Sequence, residues 1–148
     1  MTAIAPYRTE IKQEWIDYNG HLSEAYYVLI CGFATDQLMI DIGLNEDYRK
    51  NTGCSLYTVE THLQYLQEIG LGAQVEVRPR IVGAAGKKLH IAYEMLHGED
   101  VLFTEEVMCL HVDQKAGRAV DFPAEVLERL QPLIEEAPAW SGRSISMR

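Results

Sequence analysis

Every position from Ala25 to Ile30 is apolar, and apolar residues return at Phe33, Leu38, Met39, Ile40 and Ile42. After Glu24 the strongly polar residues are few: Asp36, Gln37 and Asp41. This predicts a helix from Ser23 to Ile42 that is buried almost all round rather than amphipathic. Ser23 suits the N-cap and Gly43 the residue that ends the helix. Such a helix would be about 30 Å long. Its uninterrupted apolar stretch stops at Thr35-Asp36-Gln37, which argues against a membrane span. The residues just before it, Asp17-Tyr18-Asn19-Gly20-His21, are polar, and Asn-Gly is a chain-reversal signal because both residues tolerate left-handed backbone angles.

Downstream the period changes to two. Tyr57, Val59, Thr61, Leu63 and Tyr65 alternate with Thr58, Glu60, His62 and Gln64, which predicts a strand from Leu56 to Leu66. Further strands are predicted over Ala73 to Val82, Lys87 to Leu96 (Leu89, Ile91, Tyr93 and Met95 on one face) and Val101 to Val112. Turns at Gly70-Leu-Gly72, Gly83 to Gly86 and His97 to Asp100 separate them. Pro79 lacks an N–H, so it belongs on a strand edge or at a bulge. Residues 7 to 16 read as a first strand or extended arm, and 44 to 55 as a polar connecting loop with room for a short helical turn. Val126, Leu127, Leu130, Leu133 and Ile134 mark an amphipathic C-terminal helix, begun by Pro123 and ended or kinked by Pro132. The expected architecture is α+β: one strand, one long buried helix, then four antiparallel strands in hairpin succession, a five-stranded sheet wrapped around one helix. One domain over residues 1–135 takes in the C-terminal helix; residues 136–148 form a Pro-, Ser- and Arg-containing tail that reads as loosely ordered.

Composition narrows the function. A net charge of −9 over 148 residues argues against general nucleic-acid binding, which needs phosphate neutralisation. It leaves room for a small anion on a local basic patch, and Arg78, Arg80, Lys87 and Lys88 form one around the Gly83 to Gly86 turn, with no acid among residues 77 to 93. Three widely spaced cysteines without a C-x-x-C pair, and no basic n-region followed by an apolar stretch at the start, lead us to expect a cytoplasmic protein. The histidines show no ligand spacing, so no metal site is expected.

The stretch D-Y-N-G-H-L-S-E-A-Y-Y, with the helix and strands behind it, resembles the 4-hydroxybenzoyl-CoA thioesterase group of hotdog proteins over roughly Tyr7 to Asp113. The stretches Y-T-V-E-T-H-L-Q-Y-L-Q-E, K-K-L-H and T-E-E-V-M-C-L-H-V-D bring it closer to the betainyl-CoA thioesterases of carnitine breakdown. The resemblance implies a single hotdog domain, a homodimer or homotetramer, and hydrolysis of an acyl-CoA without metal or other cofactor. Asp17 would be the nucleophile or general base, with His21 and Glu60 assisting. The matching turn in many relatives has an acid two positions before the aspartate; here that place holds Trp15. The backbone amides of Leu22, Ser23 and Glu24 would stabilise the oxyanion, since a helix N-terminus presents unpaired N–H groups and partial positive charge. Trp15, Tyr18, Asn19, Tyr26 and Tyr27 would form the acyl pocket, the aromatic faces suiting a quaternary ammonium. The CoA nucleotide would lie near Arg78, Arg80, Gly86, Lys87 and Lys88.

Each reading has a plainer counterpart. Asp17 would also serve to close an Asx turn, Glu60 and His62 to form a solvated strand face, and the four cations to solvate a hairpin. Two other functions compete: a non-catalytic CoA- or partner-binding module, and an acyl-thioester dehydratase, whose motif is not seen here.

Overall fold

The structure, a computed structural model, describes residues 4–147; the first three residues of the expected domain and Arg148 at the end of the expected tail lie outside them. Strand β1 (Tyr7–Glu10) and a 3-10 turn (Gln13–Trp15) lead through the Asp17 loop into helix α1 (Glu24–Asp41). Helix α2 (Glu46–Thr52) follows, two turns of helix within the polar connection. Then come β2 (Cys54–Tyr65), β3 (Gln74–Ala85), β4 (Lys88–His97), β5 (Asp100–Asp113), the two-residue β6 (Arg118–Ala119) and α3 (Ala124–Leu130). Pro132 follows α3 inside a 3-10 turn (Gln131–Leu133), so it ends the helix as expected.

The sheet is antiparallel, in the order β1-β3-β4-β5-β2, with β6 paired to β5. Only β3, β4 and β5 form the expected hairpin succession. Strand β2 instead crosses the molecule to pair with β5 at the far edge, and β1 takes the place beside β3. Pro79 sits past the end of the β1 pairing at Tyr7–Val77, where β3 has no partner requiring its N–H.

Alternation in β4 is as read: Leu89, Ile91, Tyr93 and Met95 all face α1 and are buried. In β2 it is not. Thr58 pairs with Cys109 but Glu60 pairs with Met108, so Val59 is an extra residue in a β-bulge. Directly paired residues share a face. The bulge therefore puts Leu56 and Thr58 with Thr61, Leu63 and Tyr65 on the α1 side, and turns Tyr57 to the outer side with Glu60, His62 and Gln64. A single inserted residue reverses the face of everything before it.

Helix α1 buries Tyr27, Ile30, Cys31, Ala34 and Leu38 against the sheet. It is not buried all round: Val28, Leu29 and Ile40 are exposed, with Ala25 and Gly32 beside them. One sheet can cover only one side of a helix, so the outward apolar stripe stays open in a single chain. Gly43 adopts φ 84°, the left-handed geometry that ends a helix without strain. Within the core the Tyr93 hydroxyl lies 2.6 Å from Thr35 Oγ1.

Composition marks the segment beyond Glu136 as loose; residues 140–143 are hydrogen-bonded to the outer sheet face. Trp140 Nε1 donates to Glu94 (3.3 Å), while Ser141 Oγ (2.5 Å) and the Gly142 amide (2.7 Å) donate to Glu106. His90 Nε2 lies 3.2 Å from the same Glu106 carboxylate. Burial pushes the Glu106 carboxyl up, but the bonds from Ser141, Gly142 and His90 outweigh it and hold it below its ordinary value. A lowered native pKa means the docked tail is stabilised above the ordinary carboxylate range and loses that stabilisation as pH falls through the native value. Below about pH 4 the Trp140 indole N–H resonance is expected to move to a solvent-exposed shift while that of buried Trp15 stays. If both indole signals move together, at global unfolding, Glu106 does not hold the tail.

Candidate active site

The Asp17 loop is closed on itself before α1 begins. Ile16 and Leu22 form an antiparallel bridge, the Asp17 amide donates to His21 O (3.1 Å), and the Gly20 amide donates to Asp17 O (3.0 Å). Gly20 has φ 82°, so the Asn-Gly signal corresponds to a real left-handed position. Asp17 Oδ1 accepts from the Asn19 amide at 2.9 Å, an Asx turn. No bond to Oδ2 occurs among the described residues, which leaves one carboxylate oxygen for other work.

Two of the three amides expected to face an oxyanion are already engaged. Leu22 N–H donates to Ile69 O and Ser23 N–H to Trp15 O, both at 2.9 Å. These bonds hold the loop against the β2–β3 connection and the 3-10 turn. Ser23 occupies the N-cap position without a capping side-chain bond. Of the three expected amides only Glu24 N–H is open, and Ala25 N–H joins it; neither has an acceptor among the described residues. The first free N–H groups belong to the first turn of the helix itself, which begins at Glu24.

A solvent-open cavity of about 580 Å³ lies beside this helix end, lined by Leu22, Glu24, Tyr27, Tyr65, Gln67 and Glu68 among others. Its tyrosines are fixed at their tips: Tyr27 OH donates to Gln67 O and Tyr65 OH to Glu24 O, each at 3.0 Å. Burial raises the Tyr27 hydroxyl, and the charges of Glu68 and Asp17 raise it further, so Asp17 acts electrostatically on the same cavity. His21 lines up with Glu68, Nδ1 to Oε2 3.2 Å, at the mouth.

The expected aromatic set does not come together. Trp15 is buried and stacks on Tyr26 (centroids 6.3 Å, 23°), with Lys12 Nζ 5.2 Å from the Trp15 ring. Tyr18 is 97% exposed and contacts neither pair, and Asn19 is exposed in the turn. Tyr27 joins a different group, with Tyr65 at 5.1 Å edge-on and Phe103 at 5.2 Å; Tyr65 and Phe103 are themselves 5.2 Å apart. Tyr65 and Phe103 escaped the sequence reading because they reach the helix end only through the β2–β5 pairing, Tyr65 opposite Phe103.

Glu60 is not beside Asp17 in the chain. It lies on the outer face near His62, His90 and Glu106, around a cleft of about 170 Å³, whereas Asp17 borders the α1 side. The cations divide as well. Arg78 bonds to Glu76, which Arg8 also contacts at 2.7 Å, and Arg80 reaches Glu94 at 3.4 Å. These acids come from just outside the acid-free window and from the neighbouring strand. Lys87, Lys88 and Gly86 remain exposed at the β3–β4 turn. Lys88 pairs with Leu110, while the Asp17 end of the sheet lies near Phe103. Seven residues of β5 separate the two, about 23 Å.

Cys31, Cys54 and Cys109 are buried free thiols, and burial raises the Cys31 and Cys109 thiols, which suits packing. Glu105 is a buried carboxylate that the sequence reading passed over. It lies on the α1 side of β5 and accepts from Thr61 Oγ1 at 2.8 Å. Burial raises its carboxyl against the bond from Thr61. Among the described residues no single helix is long and apolar enough to cross a membrane.

Residues 11–130 match the model of the Thioesterase-like superfamily. The chain is 43% identical to a betainyl-CoA thioesterase of Pseudomonas aeruginosa, over 97% of this chain and 95% of that one. It is also 43% identical to part of an L-carnitine dehydrogenase/betainyl-CoA thioesterase of Agrobacterium fabrum, covering 84% of this chain and 26% of that longer protein. A solved structure of a candidate thioesterase from Pseudomonas putida KT2440 superposes with TM-score 0.84 at 38% identity, over 100% of this chain and 99% of that one. With the antiparallel sheet packed on α1 and the Asp17 loop at its N-terminus, the chain belongs to the thioesterase-like superfamily of hotdog proteins.

Proposed function

We infer that the protein hydrolyses a small acyl-CoA to the free acid and CoA, with betainyl-CoA as the substrate. The observation that carries this reading is the Asp17 turn, with one carboxylate oxygen free, set directly before the two open amides of α1. In this reading the thioester carbonyl oxygen faces Glu24 N–H and Ala25 N–H, which stabilise the charge that develops on it. Asp17 either takes a proton from the water that attacks and returns it to the departing sulfur, or attacks the carbonyl carbon itself to give an acyl–Asp17 anhydride that water opens to the free acid and the restored carboxylate. In both routes the C–S bond breaks and CoA leaves as the thiol, its proton coming from the water consumed. Carboxylate, water and amides suffice, so the reaction as proposed uses no cofactor. The 43% identity to a betainyl-CoA thioesterase supports the acyl group chosen.

The working unit is a homo-oligomer in this reading. The outward stripe of α1 (Ala25, Val28, Leu29, Gly32) and exposed Tyr57 and Val59 on edge strand β2 offer apolar surface for a second copy. An antiparallel pair would bring the lysine turn of one subunit toward the Asp17 loop of the other and span the separation found in one chain. Buried, unpaired thiols support a reducing compartment, the cytoplasm.

Detection of free thiol from betainyl-, acetyl- and benzoyl-CoA tests the reading. Betainyl-CoA should be cleaved best, with kcat/KM of about 10⁴ M⁻¹s⁻¹ or more; absence of thiol release from all three would refute it and favour a binding module. Replacing both Lys87 and Lys88 by Ser should raise KM about three- to tenfold in a salt-dependent way with kcat little changed. An unchanged KM would remove the lysine turn from the CoA site.

A further inference from the structure

Three hydrogen bonds tie the start of α1 to the sheet side of the molecule. Leu22 N–H donates to Ile69 O at 2.9 Å, the Tyr27 hydroxyl to Gln67 O at 3.0 Å, and the Tyr65 hydroxyl to Glu24 O at 3.0 Å. The first two end on the β2–β3 connection, which is itself held to β5 because Leu66 N–H and Gln67 N–H both donate to Leu102 O. The third runs directly from the last residue of β2 to the helix. Tyr65 is aimed by its ring, which forms one layer with Tyr27 (5.1 Å, edge-on) and Phe103 (5.2 Å). Its hydroxyl and Glu24 belong to the same cavity wall beside the helix end. The choice of acceptor matters. Glu24 C=O and Ala25 N–H are the two ends of one planar peptide unit, so a bond that fixes the carbonyl also fixes the direction of the amide. That amide is one of the two at the helix start with no acceptor among the described residues. The other, Glu24 N–H, shares its peptide unit with Ser23 O, which accepts from Tyr26 N–H at 3.0 Å within the chain's own turn. The Ala25 unit is the one held by a side chain from the sheet. A hydrogen bond received at the carbonyl also polarises the unit and strengthens its N–H as a donor, by roughly 10–30%. Burial, then the charges of Glu24 and Glu105, raise the Tyr65 hydroxyl, so it stays protonated and able to donate at neutral pH.

We propose that Tyr65 is a positioning residue for the reaction: through the Glu24 carbonyl it orients and polarises Ala25 N–H, one of the two donors that face the thioester oxygen. This rests on the thioesterase reading of the Asp17 loop and adds to it a residue of the sheet that acts from behind the amides. Tyr65 neither touches the reacting carbon nor exchanges a proton in the reaction. Its effect belongs to the transition state. A neutral carbonyl oxygen gains little from a well-aimed N–H, whereas the oxyanion that replaces it gains much. Asp17 supplies the attack, and Tyr65 prepares the amide that receives the charge. A hydroxyl that only braced the helix would instead affect every CoA ligand alike.

The test replaces Tyr65 by Phe, which removes the hydroxyl and keeps the ring against Tyr27 and Phe103. With betainyl-CoA, kcat should fall about tenfold, less than the roughly 10²- to 10³-fold that follows loss of a whole oxyanion donor. KM should stay within about twofold, and the pH profile of kcat should keep its wild-type shape. Two non-cleavable ligands give a readout that needs no turnover. Trifluoroacetonyl-CoA, whose ketone adds water to become tetrahedral, should bind the variant about tenfold more weakly, whereas acetonyl-CoA, whose ketone stays trigonal, should bind both proteins equally. Wild-type kcat in Tyr65→Phe, an equal loss of affinity for the two ketones, or a displaced limb of the pH profile overturns the positioning role and leaves the thioesterase reading standing. Absence of hydrolysis by wild type, with the loss still confined to trifluoroacetonyl-CoA, does the reverse: it refutes that reading and upholds the hold of Tyr65 on the Ala25 amide. Absence of hydrolysis with no such loss overturns both.

Discussion

Replacing Asp17 by Asn is expected to lower kcat by about 10²- to 10⁴-fold, the usual range for removing a positioned acid–base group. KM should change by less than about threefold, because the group acts on the transition state rather than on ground-state binding. The fold should tolerate the change. Asparagine offers the same Oδ1 acceptor to the Asn19 amide, and the bonds that close the loop (Asp17 N–H to His21 O, Gly20 N–H to Asp17 O) use main-chain atoms. The side chain is lost only as nucleophile or base. Since Asp17 also raises the Tyr27 hydroxyl, the variant should show a lower Tyr27 pKa, a sign that the charge has gone from the same cavity. A variant with wild-type kcat would reduce Asp17 to a turn-closing residue.

The second large effect is on stability. Phe103→Ala should destabilise the protein by about 3–5 kcal/mol, the range for deleting a buried aromatic side chain. Phe103 is fully buried on the α1 side of β5 and contacts both Tyr27 and Tyr65 at 5.2 Å. No exposed route lets solvent or a neighbour fill the gap cheaply, so the cavity term adds to the lost transfer energy. Set against typical domain stabilities of about 5–15 kcal/mol, that loss is large, and the urea midpoint should fall with little change in slope. Protein concentration must be held fixed if the chain self-associates. A loss under about 1 kcal/mol would mean the aromatic layer is not a structural support of the site.

The helix and the Asp17 turn were legible because their signals are local. An apolar run broken by Thr35-Asp36-Gln37, and an Asn-Gly pair before Ser23, specify structure within a few residues. Leu89, Ile91, Tyr93 and Met95 were legible for the same reason, alternation across an unbroken strand. Three other features depended on distant partners. The Val59 bulge is set by pairing with β5 and leaves no mark in the alternation of β2 itself, so alternation alone puts Tyr57 on the wrong face. Placing β2 beside β5 rather than β3 is a topological choice that hairpin turns do not encode. The aromatic residues were grouped by nearness in sequence, yet Tyr27 meets Tyr65 and Phe103 through the sheet while Tyr18 points to solvent. Arg78 and Arg80 looked unopposed because Glu76 lies just before the acid-free window and Glu94 just after it, on the paired strand. Glu105 was missed because T-E-E-V gives two adjacent carboxylates and no local clue to which faces inward; only register distinguishes Glu105, under α1, from Glu106, under the tail.

The most direct test of the central claim measures two quantities side by side for wild type and Asp17→Asn: the rate of CoA release from betainyl-CoA, and the affinity for CoA by calorimetry. The account predicts rapid release by wild type, a loss of at least about 100-fold in the variant, and equal CoA affinity in both. Comparable release by the two proteins, or no release by wild type despite tight CoA binding, would contradict it and identify a site that binds CoA without hydrolysing its thioesters.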